Sequence, residues 1–292
     1  MSDPTASCPI CASSAASIGV KSGHSIYECP ACSLRFTLPD LAQDLEEVYG
    51  ERYFTSADAE YGDYLAEEPA HRRQAVRYLE QIQSVHPVGS LLDIGGAAGF
   101  FADEARKHGW SAQMVEVSPY AANRAEAIGV KVVRGAFPDV NIGGQFDAVT
   151  FFNSLEHLPE LRRAEQRLRE LVKPGGVVVI ETWDWRSFIA RIQGLGWHQY
   201  HPEYVPHYFD RRSLRLLFSA SEWRMLEFRR ATKWISMRRA LDILASKYGA
   251  GALRAIGRSR VGALDVPYRM GDLVWVVFRR ADARVAAQEG AA

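Results

Sequence analysis

The sequence predicts an α/β protein whose core is a mostly parallel sheet covered by helices on both faces, with a small cysteine-bearing module ahead of it. Three observations carry this. From residue 88 the 292-residue chain alternates apolar strand-like runs with helical runs. The first such run, LLDIGGAAGFF at 91–101, passes through a glycine loop into a helix. All four cysteines lie within the first 32 residues, as two Cys-x-x-Cys pairs.

The cysteines come first in the chain. Cys8-Pro9-Ile10-Cys11 and Cys29-Pro30-Ala31-Cys32 are separated by seventeen residues. Each pair turns two thiolates toward one centre, and two pairs complete a tetrahedral sulfur shell that suits zinc. Residues 12–28 read as two short strands joined by a Ser/Gly turn, so 1–38 is expected to be a zinc ribbon with Cys8, Cys11, Cys29 and Cys32 as ligands. A closed four-sulfur site leaves no open position. It is expected to stabilise the fold, and a segment this short depends on its metal. Two disulfides would instead require an oxidising compartment, and the first residues carry neither a basic start nor an apolar core typical of a leader. A cytoplasmic protein is expected.

Residues 39–86 form a helical extension, expected to close over the site as a lid. Residues 39–70 hold ten acids and one base, Arg52. The main domain is expected over 87–282. In order, 89–96 is a strand, 99–109 a helix, 111–118 a strand, and 119–129 a helix with Pro119 in its first turn and Gly129 at its end. Then 130–135 and 146–154 are strands, 158–172 is a helix closed by Lys173-Pro174-Gly175-Gly176, and 177–182 is a strand. Strands this apolar, spaced by helices, belong in a parallel sheet buried on both faces. Two more strands are expected at 223–234 and 272–281. Segments 183–210 and 236–262 read as insertions, and 283–292 as a frayed tail.

In such sheets ligands sit at the carboxyl ends of the strands, near the switch point. The glycine loop falls there, and so does Glu116, where a carboxylate can accept hydrogen bonds from both hydroxyls of a ribose. Gly95 and Gly99 lack a Cβ and permit close backbone approach. Asp93 precedes them, and an acid there repels a pyrophosphate but suits a sulfonium or an ammonium. The order Gly95-Gly96-Ala97-Ala98-Gly99 also departs from the dinucleotide fingerprint. On charge, S-adenosylmethionine (SAM) is favoured over NAD.

With these residues in view, the sequence resembles the class I SAM-dependent methyltransferases over roughly 45–280. The resemblance rests on Asp93-Ile94-Gly95 through Gly99, Glu116, FDAVTFFNSLEHLPE at 146–160 and LVKPGGVVVIETW at 171–183. YGERYF at 49–54 and the aromatic stretch 183–223 narrow it to the subgroup of polysaccharide, deoxysugar and natural-product pathways, some members of which carry a CxxC…CxxC ribbon. The resemblance implies a Rossmann-like, seven-stranded sheet ending in a reversed hairpin. It implies SAM over Asp93, Gly95, Gly96 and Gly99, ribose on Glu116 beside Val117, and adenine near Gly135-Ala136-Phe137. Ala136 stands where many members have an adenine-binding Asp, and Phe137 can stack on or edge the ring. Tyr53, with Tyr49 and Phe54, closes over the methionine end, and Asn153 touches cofactor or substrate.

Methyl transfer from a sulfonium is an in-line displacement, and an alcohol or carbon acid also needs a base, most readily a histidine. His157 and His207 are the candidates, each set against a plain packing or capping role. His198 and His201 rank behind them. The aromatics of 183–209 are read as a lid and substrate wall, and Arg186 and Arg191 as solvated helix positions in preference to phosphate or carboxylate contacts. Residues 210–280 hold sixteen bases and six acids, read as solvated faces or as a field toward an anionic acceptor group. The expected partner is a small molecule or sugar, methylated at O or C. No membrane span is expected, and a homodimer stays compatible with the sequence. Two alternatives stand beside this. One is an RNA methyltransferase whose ribbon holds RNA, disfavoured because 1–38 holds only Lys21 and Arg35 as bases. The other is a non-catalytic SAM-fold interaction protein.

Overall fold

The computed structural model describes residues 5–38, 48–55, 64–248, 256, 257 and 259–281. The ribbon is built from β1 (Thr5–Ser7), β2 (Ser14–Lys21), β3 (His24–Glu28) and β4 (Arg35–Phe36). Lys21 pairs with His24, so Ser22 and Gly23 form a two-residue hairpin turn, both at positive φ (49° and 81°). That is the turn whose twist matches the flanking strands. The two cysteine knuckles are alike. Ala12 and Ser33 follow the second cysteine of each pair at φ 58° and 63°, and donate their N–H to the carbonyls of Cys8 and Cys29.

The main sheet has seven strands: β5 (Ser90–Ile94), β6 (Ser111–Glu116), β7 (Lys131–Arg134), β8 (Phe146–Phe152), β9 (Val172–Trp183), β11 (Trp223–Arg230) and β14 (Leu273–Arg280). Their order is β11-β14-β9-β8-β5-β6-β7. The five strands from β9 to β7 are parallel; β14 runs antiparallel to them, and β11, antiparallel to β14, returns to their direction. The expected seven-stranded, mostly parallel sheet with a reversed final hairpin is therefore present. The Lys173–Gly176 turn lies inside β9: Phe146 pairs with Val172 and Ala148 with Val177, so residues 173–176 bulge out of the ladder.

Alternation along the strands divides two cores. Leu92, Val178, Ile180, Val274 and Val276 point to one face, which also receives Ile10, Leu34 and Phe36 of the ribbon. Leu91, Val177, Val179, Trp275 and Val277 point to the other. There they meet Ala75, Tyr78, Leu79 and Ile82 of a long helix (Glu68–Gln83), whose i, i+3, i+4, i+7 spacing makes one apolar stripe. Each fully buried aliphatic side chain of this kind contributes about 1.5–3 kcal/mol. The helix is also pinned by charge: Arg72 meets Asp103 and Glu104, and Arg73 and Arg77 meet Asp265.

Two further strand pairs connect the parts. β10 (His207–Tyr208) pairs antiparallel with β4, adding a fifth strand to the ribbon sheet. β12 (Lys233–Ser236) and β13 (Asp265–Tyr268) pair with each other and frame the insertion, whose helix is Met237–Tyr248. The stretch 223–234, expected as one strand, breaks after Arg230 and restarts at Lys233. The tail 283–292 and part of the 39–86 extension lie outside the described residues. Among the described residues no helix is long and apolar enough to cross a membrane.

Candidate active site

A cavity of about 350 Å³ opens at the carboxyl ends of β5, β6, β8 and β9, roofed by the helices at 51–55 and 68–83. Asp93, Gly95, Gly96, Glu116, Val117, Ala136, Phe137, Asn153, Tyr53 and His157 all line it. Ten residues singled out from sequence thus meet in one place.

Glu116 is 5% exposed, at the last position of β6. Its Oε2 accepts the Ala97 N–H at 2.9 Å and its Oε1 the Ser118 N–H at 2.8 Å. Burial raises its proton affinity and these backbone donors lower it. Each oxygen keeps a further acceptor lobe. Asp93 is buried at the end of β5 and accepts the Thr150 hydroxyl at 2.7 Å. Burial, joined by the charge of Glu116, pushes its pKa up to about 7, so an arriving cation is electrostatically welcome here.

Gly95 lines the cavity, and both outer glycines also answer to packing. A Cβ on Gly99 would lie 2.7 Å from the Ala125 Cβ, and one on Gly95 2.8 Å from the Ser154 Cβ. Gly99 does not line the cavity; its φ of +79° and its contact with the next helix explain it. Ala97 holds φ +50°, a left-handed conformation that costs a non-glycine residue about 1–2 kcal/mol.

His157 ends a single 3₁₀ turn (Leu155–His157) after β8. Its Nδ1 lies 3.0 Å from the Tyr204 carbonyl and 2.9 Å from the Tyr49 hydroxyl. A carbonyl only accepts, so Nδ1 carries the hydrogen and Nε2 the lone pair. Burial pulls its pKa down to about 4, so the ring is neutral near pH 7.

His207 is elsewhere. It is 2% exposed, sits on β10 against the ribbon and does not line the cavity. The expectation that it serves as the base is corrected: pairing of β10 with β4 turns it into the interior, where burial lowers its pKa to about 3. The aromatic stretch 183–209 is likewise a packing core and not the wall of this cavity. Trp185, Trp197, Tyr200 and Tyr208 are buried around Ile26 of the ribbon. His198 faces Asp272 and Tyr268, and His201 stacks on Tyr204. Arg186 is tied to Asp210 and Arg191 is exposed. Of the basic C-terminal stretch, Lys233 alone among the described residues lines the cavity.

Several lining residues escaped the sequence reading. Glu181 is fully buried near the end of β9 and accepts from the Tyr78 hydroxyl at 2.5 Å and from the Asn153 Nδ2 at 3.2 Å. Burial raises its proton affinity, and the charge of Lys233 opposes that. His71, stacked on Tyr64 with ring centroids 4.1 Å apart, also lines the cavity, as does Asp139, paired with Arg163. A helix heptad or an apolar strand end gives no local sign that a polar residue there faces a cavity.

In the ribbon, the sulfurs of Cys8, Cys11, Cys29 and Cys32 lie within 4.8 Å of one another. The Cys8–Cys32 and Cys11–Cys29 pairs stand at 3.3 and 3.4 Å, and no disulfide joins them. Four convergent thiols with metal–sulfur bonds of about 2.3 Å form a tetrahedron of ~3.8 Å edges, which these spacings fit. The ribbon's two bases are engaged: Lys21 donates to the Trp197 carbonyl, and Arg35 pairs with Glu28 and lies over Trp185.

Residues 61–227, more than half of the chain, match the family model described as "Methyltransferase domain". The chain belongs to that family, in the class I SAM-dependent form of the fold. It is similar to the chloroplastic protein named probable tocopherol O-methyltransferase of Oryza sativa subsp. japonica, 28% identical over 49% of this chain and 44% of that one. It is also similar to the ubiquinone biosynthesis O-methyltransferase of Albidiferax ferrireducens, 28% identical over 43% of this chain and 55% of that one. The chain thus spans about half the length of these two relatives. Among solved structures, a chain from the complex of the Haloferax volcanii Trm112 methyltransferase activator with a methyltransferase aligns at TM-score 0.51 and 14% identity, over 74% of this chain and 94% of that one. A chain from work on converting a disulfide bond into a thioacetal group during echinomycin biosynthesis aligns at 0.50 and 16% identity, over 85% and 97%. At these identities the structures speak to the fold alone.

Proposed function

We propose that the chain transfers a methyl group from SAM to an oxygen atom of a small hydroxylated molecule, in a polysaccharide or natural-product type of pathway. The observation that supports it is Glu116: a buried carboxylate, oriented by two backbone donors, beside a second buried acid and inside one cavity. Glu116 holds the ribose hydroxyls, Asp93 and Asn153 face the charged methionine end, and Phe137 flanks the adenine, with Asp139 available to its amino group in place of the missing acid at Ala136. Tyr49, Tyr53 and Phe54 cover this end. When bound, SAM supplies an electrophilic methyl on a sulfonium; the protein orients the partners and excludes water. Oxygen is favoured over carbon by the O-methyltransferase names of the relatives. The four cysteines hold a structural zinc ion. Lys21 and Arg35, the ribbon's two bases, are both engaged within the protein, which favours a small acceptor over RNA.

Calorimetric titration of the full chain with S-adenosylhomocysteine (SAH), and separately with NAD, tests the reading. Micromolar binding of SAH and none of NAD is expected. The reverse pattern overturns it.

A further inference from the structure

The cavity has further polar groups, Glu181, Tyr78 and Lys233, that the cofactor reading leaves unused. The Glu181 carboxylate, which lines the same cavity as Glu116, is held by Tyr78 on one oxygen and Asn153 on the other. Tyr78 is itself fixed by stacking on Phe152, with ring centroids 4.5 Å apart and planes 18° apart, and by contact with Trp275 at 5.4 Å. Phe101 meets Phe152 edge-on at 4.7 Å. Lys233, the first residue of β12, lines the same cavity as Glu181 and His71, and its charge lowers the proton affinity of both. The Oδ1 of Asn153 is buried and has no protein donor among the described residues.

These facts select among acceptors. A buried carboxylate kept by two donors, rather than paired with an arginine, retains the capacity to take one more hydrogen. An ammonium acceptor would satisfy it but would meet the like charge of Lys233 in a low-dielectric site. A hydroxyl satisfies it, and the developing negative charge on oxygen is then stabilised by Lys233. Phe101 and Phe152 line the cavity here, and aromatic side chains suit a planar ring; a molecule bearing hydroxyls on every side would leave them unpaired there.

We propose that Glu181, positioned by Tyr78 and Asn153, binds and deprotonates a ring hydroxyl of an aromatic acceptor slotted against Phe152 and Phe101, with Lys233 facing the same oxygen. This rests on the SAM reading and deepens it. In the step, the hydroxyl proton passes to a Glu181 oxygen. The acceptor oxygen forms its bond to the methyl carbon, and the methyl–sulfur bond breaks with its electron pair left on sulfur, so the sulfonium becomes a neutral thioether.

The test uses the full chain saturated with SAH, titrated with catechol and, in parallel, with benzylamine, and a transfer assay with SAM and catechol. Catechol binding without benzylamine binding is expected, together with formation of methylated catechol. Glu181→Gln should weaken catechol binding at least tenfold and slow transfer at least a hundredfold, while SAH affinity and melting temperature stay put. Tyr78→Phe, which keeps the ring but frees one carboxylate oxygen, should show a smaller loss of the same kind. Wild type that binds SAH but not catechol, or that prefers benzylamine, overturns this assignment alone. So does Glu181→Gln that leaves both catechol readouts unchanged. Failure of wild type to bind SAH overturns the SAM reading as well.

Discussion

The Ala97 N–H donates to Glu116 Oε2 at 2.9 Å, joining two residues nineteen positions apart. The loop after the first sheet strand is thereby fastened to the end of the second by the carboxylate that is proposed to bind ribose.

Glu116→Ala therefore removes two things, a ligand contact and the anchor of the loop. Charge-assisted hydrogen bonds are worth about 1.5–3 kcal/mol each, so SAH affinity should fall on the order of 10- to 100-fold, measured by calorimetry. Equal, tight binding by the variant and the wild type would remove Glu116 from the ribose contact.

Ala97→Gly relieves a left-handed alanine while adding flexibility to the unfolded chain. The two effects oppose, and the first is the larger. A gain of roughly 0.5 kcal/mol, or about 1–2 °C in melting temperature, is expected, with SAH affinity unchanged within about twofold because the N–H survives the substitution. A drop in melting temperature would contradict the positive φ assigned to this position.

Gly99→Ala is the opposite case. Its Cβ would stand 2.7 Å from one atom of Ala125 and 3.1 Å from its Cα, at φ +79°. Overpacking and backbone strain together cost about 2–4 kcal/mol. The midpoint of urea unfolding should fall accordingly. Unchanged stability would mean that the helix at 119–127 sits farther from the loop than described.

Acid should find the buried histidines. His207 has a folded pKa near 3, against about 6.5 unfolded. Between these values the unfolded chain binds a proton that the folded chain refuses, so this residue's contribution is present above pH 6.5 and is lost as pH falls toward 3. His157, near 4, acts in the same sense. Asp93, raised to about 7, acts in the opposite one, since the folded chain holds its proton where the unfolded chain does not. Single replacement separates these terms. His207→Gln should make the loss of stability between pH 6 and 4 shallower by about 1.4 kcal/mol per pH unit, one proton's worth. Parallel curves for variant and wild type would show that His207 is protonated in the fold.

Metal removal gives a further expectation. Purified under reducing conditions, the protein should carry one zinc per chain by elemental analysis. Chelation should lower the melting temperature by several degrees, as the ribbon contributes Ile10, Leu34 and Phe36 to one sheet core. A zinc-free protein with the same melting temperature would remove the metal from the four-cysteine cluster.

Much of this was legible in the sequence because it is local. Apolar runs such as 177–182 declare buried strands, and the glycine loop declares the strand-to-helix turn that gathers Asp93, Gly95 and Glu116. What escaped is long-range. Lys233–Ser236 and Asp265–Tyr268 are too short to declare themselves and find each other only across the insertion. His207 looked like a base because its pairing with Phe36 has no trace near residue 207. The aromatics of 183–209 looked like a wall because composition records that rings are crowded, not which surface they crowd against. Glu181 sits at the end of an apolar strand, and only the fold brings Tyr78 to it.

The pairing of Phe36 with His207 also bears on how the chain is made. The strand partner of the ribbon's last edge is 171 positions downstream (207 − 36), so at a synthesis rate of about 5–20 residues per second the edge waits roughly 9–34 s on the ribosome. An open strand edge is a template for unwanted pairing with neighbouring chains. Here the waiting edge is two residues long and carries Arg35, which is short and charged enough to keep a nascent chain from joining its neighbours before its own partner emerges.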